Sequence, residues 1–138
     1  MRNGWRRLGR LSCGELVSLP IVWLCSVLGA VALRRLSVLQ ISRLFSTLGR
    51  LCPLGSSSER SYDLADVAAR LTPGAGRCLT RSLLLLGLLR GDRRLKIGVR
   101  LEDGKLASHA WVELGERVVG DRHEVTEQFA PLLDRQTA

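Results

Sequence analysis

Cys78, His109 and Asp121 are residues whose types and spacing suit covalent chemistry. Cys78 follows the glycine-rich turn Pro73-Gly74-Ala75-Gly76 and opens the run CLTRSLLLLGLLRG. That run is apolar on nearly every side from Leu83 to Leu89, the mark of a helix buried in a core. The start of a helix favours an anion through its dipole, and Arg77 adds a neighbouring cation, so a thiol placed there is biased toward thiolate. A thiolate is the nucleophile that cysteine catalysis needs. Alone, this signal is weak, because most buried cysteines are small core residues.

His109 strengthens it. It lies in mid-strand between Ser108 and Ala110, two residues before Trp111. A strand pair folded symmetrically about Gly115 sets His109 opposite Asp121, with Cβ atoms about 5 Å apart. A two-residue turn sets Arg122 there instead, and a one-residue slip flips the face. In the first register Asp121 orients His109 and stabilises its imidazolium, the third role of a nucleophile–base–acid triad.

Several elements must position these residues. Leu16 to Leu33 is an uncharged stretch flanked by Arg6, Arg7 and Arg10 on one side and Arg34 and Arg35 on the other. Three readings compete for it, in this order: a buried helix, a membrane-associated helix, a signal peptide. Residues 36–52 repeat apolar side chains at helical steps through Val38, Ile41, Phe45, Leu48 and Cys52. Pro53, Gly55 and the polar run from Ser56 to Arg60 then mark a boundary. A short helix follows, capped by Asp63, with Leu64, Val67, Ala68 and Leu71 on one face. After the Cys78 helix, Leu95, Ile97, Val99 and Leu101 alternate with Lys96, Gly98 and Arg100 as a strand does. Asp103-Gly104 signals a hairpin. Leu106 to Leu114 and Arg117 to Asp121 complete three strands. The expected fold is α+β, with residues 1–60 as a basic, apolar helical segment. Residues 61–138 form a core in which the buried, Cys-bearing helix packs on an antiparallel meander.

Composition narrows the function. The chain has 138 residues and a formal net charge of +8. Residues 1–60 hold nine Arg and two Glu, while residues 61–138 are nearly balanced. A basic, apolar segment suits an anionic membrane surface, an acidic partner or nucleic acid. Aromatic residues make up only 4%, and no helix-turn-helix or zinc pattern is present, so nucleic-acid binding is remote. No nucleotide-binding glycine loop occurs. The four cysteines are widely spaced without a C-x-x-C pair, which argues for reduced thiols, a cytoplasmic location and no metal site.

The runs CLTRSLLLLGLLR, LKIGVRLEDGKLASHAWVELGERVVGD and VTEQFAPL together resemble the lasso-peptide leader peptidases. These are transglutaminase-like cysteine proteases, with a core of papain/transglutaminase type. The resemblance covers roughly residues 63–133. It implies removal of the leader peptide from a ribosomally made precursor. The freed amine is then closed into a macrolactam by a cyclase related to asparagine synthetases. It places the catalytic Cys, His and Asp on Cys78, His109 and Asp121, with no intrinsic cofactor. Such proteases occur either alone or fused to a leader-recognition domain, and a chain of 138 residues is expected to be the protease of a split system, with leader recognition on a separate protein.

Other residues have less defined roles. Arg81, one turn after Cys78, can pair with a substrate carboxylate or an internal one. Trp111 can wall the site or fill the core. His123 is a second candidate base, in the charged turn Asp121-Arg122-His123-Glu124. The backbone N–H of Cys78 is a natural oxyanion donor. A papain-like enzyme would add a glutamine shortly before the cysteine, and none is there, so the second donor is open. Residues 1–52 can dock a partner protein, meet a membrane surface, or complete the core. Crosslinking acyl transfer, or a membrane-associated scaffold that recruits the cyclase and carries a vestigial triad, are the alternative functions.

Overall fold

The computed structural model describes residues 13–51, 57–73, 77–121 and 125–137. Four helices precede the sheet: α1 (Cys13–Ala32), α2 (Val38–Leu51), α3 (Ser58–Leu71) and α4 (Arg77–Leu88). Strands β1 (Arg93–Glu102), β2 (Lys105–Leu114) and β3 (Arg117–Val118) follow, then a one-turn helix α5 (Val125–Gln128) and β4 (Ala130–Thr137). The fold is α+β: helices, then an antiparallel sheet in the order β3-β2-β1-β4.

Local chemistry sets the helix starts. Ser37 and Gln40 form a reciprocal capping box at α2: the Gln40 N–H donates to Ser37 Oγ at 3.4 Å, and the Ser37 N–H donates to Gln40 Oε1 at 3.0 Å. At α3 the N-cap is Ser57, whose side chain accepts from the Arg60 N–H. The helix therefore begins five residues before the expected cap Asp63, because a hydroxyl in extended backbone was already available upstream. Thr72 closes α3 ahead of Pro73.

The buried helix of the sequence is α4. Leu83, Leu84, Leu85 and Leu86 are each almost wholly buried, and α4 packs against α1, α2, α3 and the sheet. At its crossing with α2 the backbones nearly touch. A Cβ built on Gly49 would lie 2.0 Å from the Gly87 carbonyl oxygen. One hydrophobic core joins Val22, Ile41 and Phe45 of the first two helices to Leu64, Leu83, Leu86, Leu95 and Val112. The boundary in composition near residue 60 is not a boundary of packing.

Helix α1 departs from a fully buried helix. Val22 and Ser26 face the core, while Val17, Ile21, Leu24, Leu28 and Val31 face outward. The inward side carries serines that are hydrogen-bonded; Ser26 and Thr72 hydroxyls meet at 2.6 Å. Among the described residues no helix is long and apolar enough to cross a membrane.

The β1–β2 hairpin turns at Asp103-Gly104, both with positive φ, as a two-residue turn of this twist requires. The next turn is also two residues, Gly115-Glu116, and pairs Glu113 with Val118. This is the register that would put residue 122, not Asp121, across from His109. The expected third strand is cut to two residues. Strand β4, which pairs with the outer edge of β1, goes beyond the expected three-stranded meander.

Candidate functional site

The short β3 exposes an edge of β2 that α4 then uses. Residues two apart on a strand present their backbone groups to the same side. The Val112 carbonyl accepts from the Val119 N–H at 2.9 Å on that edge, and there the sheet stops. Ala110, the next residue facing that way, is met by side chains of α4 instead. The Ser82 hydroxyl donates to the Ala110 carbonyl at 2.9 Å, and the Ala110 N–H is near enough to the Cys78 sulfur to help lower the thiol's pKa. This pins the start of α4 beside His109.

His109 joins two partners. Its Nε2 lies 2.9 Å from Asp121 Oδ2, and the Cys78 thiol is close enough to its ring for each to shift the other's pKa. Asp121 arrives outside the strand ladder. Past Val119 the chain turns at Gly120, with φ +74°, and swings the carboxylate back over β2. A Cβ on Gly120 would lie 1.8 Å from the Tyr62 ring, so only glycine fits this bend. The contact between His109 and Asp121 is thus made by a bend, not by the strand register on which the sequence argument leaned.

The electrostatics bias Cys78 and His109 toward a thiolate–imidazolium pair. Hydrogen bonding to His109 is the largest influence on Cys78 and lowers its pKa. Burial opposes this, and the N–H groups of Ala110 and Leu79 add to the lowering. His109 is pushed up to about 9, first by its hydrogen bond to Asp121 and then by the one to Cys78, against the cost of burial.

Arg81 is engaged inside the protein. Its guanidinium reaches Asp121 Oδ2 at 3.0 Å, Tyr62 Oη at 2.8 Å and Asp66 Oδ1 at 3.4 Å, and it sits over the Tyr62 ring. Arg70 holds the other Asp66 oxygen at 2.8 Å. Arg81 therefore seats the Asp121 carboxylate from α4 while Asp66 balances the charge from α3. Trp111 is buried and stacks on His109, with ring centroids 6.3 Å apart, and its indole N–H donates to Glu113 at 3.1 Å. It supports the imidazole from behind rather than lining an open cleft. Phe129 lies on the same imidazole at 5.5 Å. Gly98, paired with His109, leaves the room: a Cβ there would meet Phe129 at 2.6 Å.

The structure brings Cys78, His109, Asp121, Arg81 and Trp111 into one cluster. His123 lies outside the described residues. Tyr62, Asp66, Gly120 and Phe129 had not been singled out. Asp66 was hidden by its helical spacing to Arg70, which reads as an ordinary surface pair, and Gly120 by its place in an expected strand. Cys13, Cys25 and Cys78 form no disulfide. Among the described residues no group of three acidic, His or Cys side chains is placed to hold a metal ion.

A sulfur nucleophile, a base beside it and a carboxylate behind the base make a constellation suited to acyl transfer through a thioester. No curated protein and no solved structure matches the chain. The family model described as transglutaminase-like superfamily matches residues 16–134, and the chain belongs to that superfamily, whose members are typically cysteine peptidases or transferases.

Proposed function

We propose that this protein is a cysteine peptidase that removes the leader from a ribosomally made lasso-peptide precursor. The observation that carries the reading is the grouping of Cys78, at the start of a buried helix, with His109 and its 2.9 Å partner Asp121, within a transglutaminase-like domain. The sequence runs that resemble leader peptidases contain all three residues and supply the substrate class.

The chemistry follows from the pair. Cys78 thiolate attacks the carbonyl of the last leader residue. The His109 imidazolium gives its proton to the departing amine, which becomes the N-terminus of the core peptide. Neutral His109 then takes a proton from water as the water attacks the thioester. The leader leaves with a new carboxylate, and the thiolate–imidazolium pair returns. Asp121 holds the His109 ring in place throughout. No cofactor takes part in these steps. The partners are a separate leader-recognition protein and an asparagine-synthetase-like cyclase that consumes the freed amine.

Mass spectrometry of the precursor after incubation with this protein and the recognition protein tests the reading. Leader loss with wild type, and an intact precursor with Cys78→Ala, are expected. Leader loss with both removes Cys78 as nucleophile. An uncut precursor in both, even with the cyclase present, favours the scaffold alternative. A crosslinked product in place of free leader assigns transfer to an amine instead of water.

A further inference from the structure

Helices α1 and α2 bury serines while leaving several large apolar side chains exposed. On α1 the serines Ser18 and Ser26 are buried, and Val17, Ile21, Leu24, Leu28 and Val31 are 53–77% exposed. These five recur at steps of four and three, a continuous stripe along one face. On α2 Ser42 and Ser46 are buried while Leu44 and Leu48 are 51% and 43% exposed. Each buried α2 serine is satisfied by a carbonyl of its own helix: Ser42 donates to Leu39 and Ser46 to Ser42. Ile21 and Leu48 flank a single apolar groove between the two helices, of about 320 Å³, floored by Phe45, Leu84 and Leu88. A helix facing water puts its leucines in and its serines out. Both helices depart from this in part: Val22, Ile41 and Phe45 stay in the core, yet the outer face carries a run of large apolar side chains suited to an apolar medium.

The charge says which medium. From residue 17 to residue 57 the sequence has four arginines and no acidic residue. Arg34 and Arg35, at the end of α1, and Arg43 on α2 are exposed. A second copy would bring like charges together across the same face. A partner helix would cover one seam, whereas the exposed apolar side chains spread over two helices and the turn between them, including Leu36 and Leu39. Broad apolar exposure rimmed by arginines is the pattern of a helix lying in the plane of an anionic bilayer. Neither helix is long and apolar enough to span it.

We propose that α1 and α2 form a docking face for an anionic lipid surface, with their exposed leucines in the acyl boundary and the arginines at the headgroups. The face is distinct from the Cys78 cluster and does not depend on what that cluster cleaves. Co-sedimentation of the full chain with vesicles tests it. Vesicles of phosphatidylcholine mixed equally with phosphatidylglycerol are expected to carry the protein down, and phosphatidylcholine alone to leave it in solution. Added salt should release it. Leu24→Gln with Leu28→Gln should weaken binding on the order of 100-fold, without adding charge. Arg34→Gln with Arg35→Gln should weaken it roughly 10-fold. Circular dichroism of both variants checks that the fold is kept. No binding to anionic vesicles overturns the proposal, as does equal binding by the leucine variant. Self-association of the wild type in light scattering, lost in that variant and without vesicle binding, assigns the face to a second copy instead.

Discussion

At the residue scale the site is one coupled acid–base unit, and pH should read it directly. The reactive form carries thiolate and imidazolium together. Activity should therefore be bell-shaped, falling on the alkaline side near 9 as His109 deprotonates and on the acid side, below the ordinary thiol range, as Cys78 protonates. Both limbs belong to the pair rather than to one group. Replacing Cys78 by Ala removes the second-largest cause of the His109 shift and leaves the largest, Asp121. The His109 pKa should then drop from about 9 but stay above 6.5, which histidine NMR titration can follow. Arg81 offers a separate test. Its two-armed link to Asp121 and Asp66 fixes the carboxylate that fixes the imidazole. Arg81→Met should lower kcat about 100-fold with KM little changed, because the base is misplaced and the substrate is not. It should also bring the His109 pKa down as Asp121 drifts. Arg81→Lys, with a compact ammonium in place of the planar fork, should recover only part of either effect. A loss confined to KM would instead make Arg81 a substrate contact.

At the scale of elements, what the sequence made legible was periodicity, and what it hid was where the chain leaves periodic structure. The helical run at Cys78, the alternation through Leu95 to Leu101 and the Asp103-Gly104 turn are local signals, and each element lies close to where its pattern put it. The cluster at Cys78 and His109 was legible for the same reason, since one stands at a helix start and the other in mid-strand. The route of Asp121 was not. It depends on β3 stopping after two residues and on Gly120 bending against Tyr62, a contact across 58 positions of sequence. Strand β4 was missed because Pro131 and the polar Asp134 to Thr137 run break strand alternation, and only the free edge of β1 recruits it. The join between α4 and β2 rests on the buried Ser82 hydroxyl, which satisfies a carbonyl that the truncated sheet leaves over. Ser82→Ala should cost about 1–3 kcal/mol in denaturant unfolding, the penalty of an unpaired buried acceptor. A cost near zero would mean that another group or a water reaches Ala110.

At the scale of the molecule, the question is whether residues 61–138 are a unit by themselves. Composition divides the chain near residue 60, yet the packing crosses that line in three places. Val22, Ile41 and Phe45 complete the core around α4. The Ser26 hydroxyl meets that of Thr72, which also donates to the Ala68 carbonyl, at the end of α3. The guanidinium of Arg93 is buried at the start of β1 and donates to two carbonyls, those of Leu89 and of Ser46 on α2. Removing α1 and α2 would bare one side of α4, where Leu84 and Leu88 line the groove, and would take away a partner of a buried cation. Exposed leucines and a poorly matched charge are both costly for so small a remnant. A chain beginning at Ser57 should therefore lack a cooperative unfolding transition, show a weakened near-ultraviolet circular dichroism signal, and form no Cys78–His109 ion pair by thiol titration. A cooperative transition with the thiol still acidic would make the first two helices an addition to a complete domain. The expected loss makes them part of the site's own foundation, so that the face of α1 and α2 turned away from the core is free to serve a second purpose.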